Sequence, residues 1–111
     1  MKKSDKKMDN AISSALTDAC EAALETHNGF VWLTHVVNYR RFPQSLLIIC
    51  VFDTQANLEQ ADTQAMRNSV YEALLSINVR LSDRDRQIAF DTEEACEAEN
   101  QGNWARRLAV A

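Results

Sequence analysis

The sequence predicts an α+β fold: one domain in the order α-β-β-α-β-α, with a small three-stranded, mainly antiparallel sheet packed by helices on one face. Three observations carry this. Segments with apolar residues at three- and four-residue steps alternate with short runs rich in Val, Ile, Phe and Trp. Only two glycines and one proline occur, so Gly29, Pro43 and Gly102 act as punctuation. At 111 residues the chain suits one core and no second domain.

Residues 1–8 form a flexible basic arm in this reading, and residues 9–111 the domain. Asp9 is the expected cap of the first helix, which carries Ile12, Leu16, Ala19, Cys20, Ala23 and Leu24 on one stripe. Asn28-Gly29 ends it. Alternation over 30–39 places Val31, Leu33, His35, Val37 and Tyr39 on one face of a strand, and Phe30, Trp32, Thr34, Val36 and Asn38 on the other. Arg40 to Gln44 forms the turn. Leu46 to Phe52 is apolar throughout, as a central strand covered on both sides would be. Asp53 or Thr54 caps a second helical stretch through Ile77, with a kink or restart at Asp62-Thr63. Gln87 to Phe90 is a third strand. Asp91 and Glu94 have capping-box spacing for a helix ending before Gly102, and Trp104 to Leu108 can add a turn. Trp32 and Val36 leave an apolar sheet face that needs a cover: the C-terminal helix or a second copy.

The formal net charge of −4 sums two unlike parts. Lys2, Lys3, Lys6 and Lys7, with Asp5, give +3 in residues 1–8. The remaining residues carry −7, and their only cations are arginines. Arg80, Arg84 and Arg86 cluster around the 82–85 turn, interleaved with Asp83 and Asp85.

Several chemistries lack their residues. Two isolated glycines cannot cradle phosphates. A metal nuclease that pairs a strand lysine with carboxylates is excluded from a body without lysine. Asp53 and Asp91 each end a strand with Glu93 and Glu94 nearby, a pairing that could share a divalent cation but that helix capping also explains. Cys20, Cys50 and Cys96 show no ligand or disulfide spacing, and with His27 and His35 they give no metal pattern. Cys20 and Cys50 fall at apolar positions, and the glutamates around Cys96 oppose a thiolate. His35 is expected as a core or interface histidine donating to a carbonyl. The longest apolar run is far short of the ~20 residues of a membrane span, and the charged N-terminus lacks a secretory signal's apolar core.

Asp5-Lys6-Lys7, Asp9-Asn10-Ala11, Gly29-Phe30, Trp32-Leu33-Thr34-His35, Val37-Asn38-Tyr39, Cys50-Val51-Phe52-Asp53, Phe90 to Cys96 and Gly102-Asn103-Trp104 together resemble a family of short gamma-proteobacterial proteins. Some of its members are labelled Fis-like regulators. The resemblance spans nearly the whole chain, implies a possible regulatory role and carries no catalytic residue. Fis-type DNA reading needs a helix-turn-helix; no such pattern precedes the residues after Trp104. The element order is also similar to the small KH-like domain of ribosome-binding factors, at the level of fold alone.

The expectation is a cytoplasmic, non-catalytic interaction or regulatory module, homodimeric, without cofactor or membrane, and with a further protein partner open. Its interaction surface is expected from Trp32, Val36, Arg80, Arg84, Arg86 and Trp104. The alternative is a nucleic-acid-associated regulator using the lysine arm and the arginine cluster. The third reading is a divalent-metal-dependent hydrolase at Asp53 and Asp91.

Overall fold

The computed structural model describes residues 2–109; Met1 of the expected arm and residues 110–111 of the expected domain lie outside them. The fold is α+β, with three strands in one sheet of order β1-β2-β3. Helix α1 (Lys3–Thr26) leads into β1 (Phe30–Val36), a 3-10 turn (Tyr39–Arg41) and β2 (Leu47–Phe52). Helices α2 (Gln55–Gln60), α3 (Thr63–Leu75) and α4 (Arg84–Gln87) precede β3 (Ile88–Thr92), and α5 (Glu93–Asn100) and α6 (Trp104–Arg107) complete it.

One boundary and one strand pairing correct the sequence reading. The helix starts at Lys3 rather than Asp9, so the lysine segment forms its first turns instead of a separate arm. Lysine is a good helix former, and a helix already nucleated by a packed stripe extends at little cost. The sheet is mixed. β1 and β2 are antiparallel, as the short turn requires, but β2 and β3 are parallel. The reason is the long crossover: α2 and α3 carry the chain back along the sheet, so β3 begins beside the start of β2. The expected break at Asp62-Thr63 is present, with the Asp62 carboxylate accepting from Ala65 N at 3.0 Å.

β1 departs from simple alternation. Its register against β2 shifts between Phe30 and Trp32, which turns Val31 outward and puts Phe30 on the same face as Leu33. On that face Ile48, Cys50, Phe52 and Ile88 meet Ile12, Leu16 and Ala23 of α1 and Met66, Val70 and Leu74 of α3. Phe30 and Phe52 pack edge to face at 5.7 Å. Gly29 makes this turn possible. It has φ +84°, and a Cβ there would lie 2.6 Å from Asn57 Cβ and 2.7 Å from Asp53 Oδ1.

The second face also has a cover. Trp32, Val51 and Asp91 form a row across the three strands. Trp104 packs on Trp32 at 4.8 Å, nearly perpendicular, and Arg107 binds Asp91. Ile49 and Val51, which point this way, are buried. Helices therefore cover both faces of the sheet.

Gln87 ties the end of the sheet together and is fully buried. Its Nε2 donates to the carbonyls of Pro43 (2.7 Å) and Leu46 (2.9 Å). Its Oε1 accepts from Asp83 N (2.8 Å) and Ser82 Oγ (3.1 Å). Gln87→Ala strands buried polar groups on both sides of this link and is expected to cost about 3 kcal/mol. Urea unfolding followed by tryptophan fluorescence, at fixed protein concentration, measures it.

Candidate functional site

The seam between α1 and β1 brings Asp9, His35 and Tyr39 together. α1 runs antiparallel to β1, which brings Asp9 beside the end of the strand. Asp9 Oδ1 accepts from Tyr39 Oη at 2.7 Å and from His35 Nε2 at 3.0 Å. With its pKa lowered, Asp9 is ionised at neutral pH and can only accept, so the bonded His35 nitrogen is the one that carries a proton. These bonds, that to His35 foremost, hold the Asp9 carboxyl below the usual range. Burial first, and then the neighbouring carboxylate, push the Tyr39 phenol up. His35 was expected to donate to a carbonyl; its partner is this carboxylate, and Asp9 is not the helix cap.

Below the pair lies a cavity of about 280 Å³ lined by Ser13, Leu16, Thr17, Cys20, Leu33 and Thr34. Thr17 Oγ1 donates to Ser13 O at 2.8 Å, which occupies that hydroxyl within the helix. Among the described residues no hydroxyl or thiol is hydrogen-bonded to His35, so the nucleophile–base contact of acyl transfer is not formed. The Asp9–His35–Tyr39 cluster links a helix to a strand.

The other candidate acids are also engaged. Asp53 Oδ1 accepts from Asn57 Nδ2 (2.9 Å) and Thr54 N (2.7 Å), which, the Asn57 bond foremost, lowers its carboxyl pKa, while Thr54 itself caps α2. Asp91 takes a two-pronged bond from Arg107 at 2.6 and 2.9 Å, and Thr92 caps α5 in its place. Glu94 Oε1 accepts from Gln55 N instead of closing a capping box. Asp53 and Asp91, open in the sequence to a shared cation or to helix capping, each give their carboxylate to protein donors. No group of three or more His, Cys, Asp or Glu side chains among the described residues is arranged to hold a metal.

Cys50 is buried in β2, and burial pushes its thiol up to about 12. Cys96 is buried too, and this rather than its glutamate neighbours is the main reason its thiol is raised. Cys20 is half-buried in the seam.

The expected interaction residues part company. Trp32 and Trp104 satisfy each other. Arg84 lies over the Tyr71 ring at 4.7 Å. Arg86, paired at 3.6 Å with Asp83 on the surface, lines a cavity with Arg41, Val36 and Leu47. Arg80 is exposed. The lysine turns, the Arg40-Arg41 turn and α4 nevertheless share one end of the sheet. Val36, Leu47 and Ile88 are neighbours there, Tyr39 reaches Asp9 of α1, and Gln87 binds the 43–46 loop. Asp53, Glu93 and Glu94 lie at the opposite end, beside the Phe30–Phe52–Thr92 row. The lysine turns and these arginines thus lie toward one end of the sheet, with Asp83 and Asp85 interleaved among them, and Asp53, Glu93 and Glu94 lie toward the other.

No family model, curated protein or solved structure matches the chain. No helix among the described residues is long and apolar enough to cross a membrane.

The depressed carboxyl of Asp9 contributes stability that is present above the unfolded value near pH 4 and is lost as pH falls through the lower folded value. Asp9→Asn is therefore expected to destabilise the protein at neutral pH. The gap from wild type should narrow as pH falls below about 4. Urea midpoints for both proteins across an acid pH series check this.

Proposed function

We propose that the chain is a non-catalytic interaction module that works as a homodimer. The observation that carries this reading is the contrast between the two edges of the sheet. β3 is short, bears Asp91, and has the Ile88 carbonyl occupied by Arg67 Nε at 3.2 Å. These features blunt an edge. β1 spans seven residues, FVWLTHV, with no charge and no proline. It pairs with β2 alone, so alternate backbone groups from Trp32 to Val36 face outward. The bulge at Val31 protects only its start. An unguarded edge of this kind favours pairing with another strand, and a two-fold dimer removes it without leaving a new one.

The engaged state of Asp9, Asp53 and Asp91 and the burial of Cys50 and Cys96 support the non-catalytic half of the reading. Three unpaired cysteines support a cytoplasmic, reducing setting. Sedimentation equilibrium is expected to give twice the 12.6 kDa chain mass; a monomer at every concentration defeats the dimer.

One observation favours a second reading, a nucleic-acid-associated regulator. The lysine segment, Lys2, Lys3, Lys6 and Lys7, lies toward the same end of the fold as Arg40, Arg41 and Arg86, through the Asp9–Tyr39 and Gln87–Pro43 links. Fluorescence anisotropy with labelled single-stranded RNA and duplex DNA tests it. Binding that weakens at least about tenfold between roughly 50 and 200 mM salt supports phosphate contacts at that end; no binding at the lower salt removes the reading.

A further inference from the structure

Resting on the homodimer reading, we infer that the dimer seam is built from β1 and α1 together, with the lysine turns of one α1 against the acidic turns of the other. Along α1, Lys3, Lys6, Asn10, Ser13, Thr17, Glu21 and Leu24 recur at three- and four-residue steps and so share one side of the helix. Ser13, Thr17 and Glu21 of this stripe line the same cavity as Thr34, which places the stripe beside the open edge of β1.

A two-fold axis through Thr34 pairs β1 with its copy in antiparallel register, Trp32 opposite Val36 and Leu33 opposite His35. Asp9, one turn before Ser13, bonds His35, the residue after Thr34, so of the stripe residues that line the cavity Ser13 lies nearest the same axis. The two α1 helices then run antiparallel on one face of a continuous six-stranded sheet. Lys3 and Lys6 of one copy fall opposite the Glu21 and Glu25 region of the other, and the exposed Leu24 falls opposite the far lysine turn, against its methylene stems. Leu24 (51% exposed) and Val31 (36%) are the exposed large apolar side chains among the described residues, and they flank the α1–β1 connection.

The monomer leaves these charges without partners. Among the described residues no lysine and neither Glu21 nor Glu25 stands within salt-bridge distance of an opposite charge. Their order along α1 is also the reverse of what the helix dipole favours: lysines crowd the first two turns, and the last turn has no basic residue. An antiparallel second copy supplies the opposite charge and the opposite dipole at both ends. A partner of uniform charge, or an extended peptide alone, compensates at most one end.

Charge exchange tests the seam. K3E/K6E and E21K/E25K are each expected to weaken self-association at least about tenfold, because each sets like charges together. Mixing the two variants restores complementarity at both ends and is expected to return a heterodimer, visible by sedimentation and by native mass spectrometry. Helical circular dichroism unchanged in each variant establishes that folding is intact. Wild-type dimers whose association is unmoved by either double variant, and by Thr34→Pro, overturn this seam while leaving the homodimer standing. A wild-type chain that stays monomeric overturns both.

Discussion

β2 is apolar on both faces, and a strand of that kind needs cover on both. Ile48, Cys50 and Phe52 take the α1–α3 side, and Ile49 and Val51 take the α5–α6 side. The crossover through α2 and α3 follows from the first demand, because it lays an apolar helix over the strand and returns the chain for a parallel β3. The C-terminal turn follows from the second. Trp104 and Arg107 are spaced to reach Trp32 and Asp91, one on each side of Val51. Full burial of an aliphatic side chain is worth about 1.5–3 kcal/mol, so the central strand outweighs the caps and surface pairs around it.

The parts of this arrangement that follow repeating patterns were legible in the sequence. The Ile12–Leu16–Ala23 stripe, the apolar run of β2 and the break at Asp62 all appear where periodicity and breakers place them. The parts that depend on tertiary pairing were not. β3 was expected in a mainly antiparallel sheet but pairs parallel with β2, since a helical crossover long enough to return the chain shows only as a helix in the sequence. Asp9 and Asp91 have the composition of caps, but their carboxylates are claimed by His35 with Tyr39 and by Arg107 from 26, 30 and 16 residues away. Gln87 gave no signal at all: it sits in a polar stretch, and only the fold brings Pro43 and Leu46 to it. His35 carried a partial signal, as a polar residue alternating with Leu33 on a face that must meet the first helix.

The basic segment changed most between sequence and structure. As an arm it would be free to seek any anion. As the first turns of α1, Lys3, Lys6 and Lys7 extend a helix that is tied to β1 through Asp9. Each unfavourable charge at a helix end costs about 0.3–1 kcal/mol when nothing opposes it. Such a cost is sustainable in a chain with a well-filled core, and it is recovered when an opposite charge arrives.

That conversion also sets a competition. Lys3 and Lys6 cannot oppose Glu21 and Glu25 of a second copy and at the same time hold phosphates. Lys7 lies about 100° further around the helix from Lys6, and Arg40, Arg41 and Arg86 belong to other elements, so they stand outside the seam. Dimer formation would therefore narrow the basic end without abolishing it, and would double it across the two-fold axis. The Asp9–His35–Tyr39 cluster sits between these two uses: it fixes the angle of α1 on β1, and with it whether the lysine turns lie along the strand edge or project beyond it. A seam built on a strand edge needs that angle held to within a fraction of a side chain. The two bonds to Asp9 are directional, so they add an orientation to the apolar packing of α1 on the sheet.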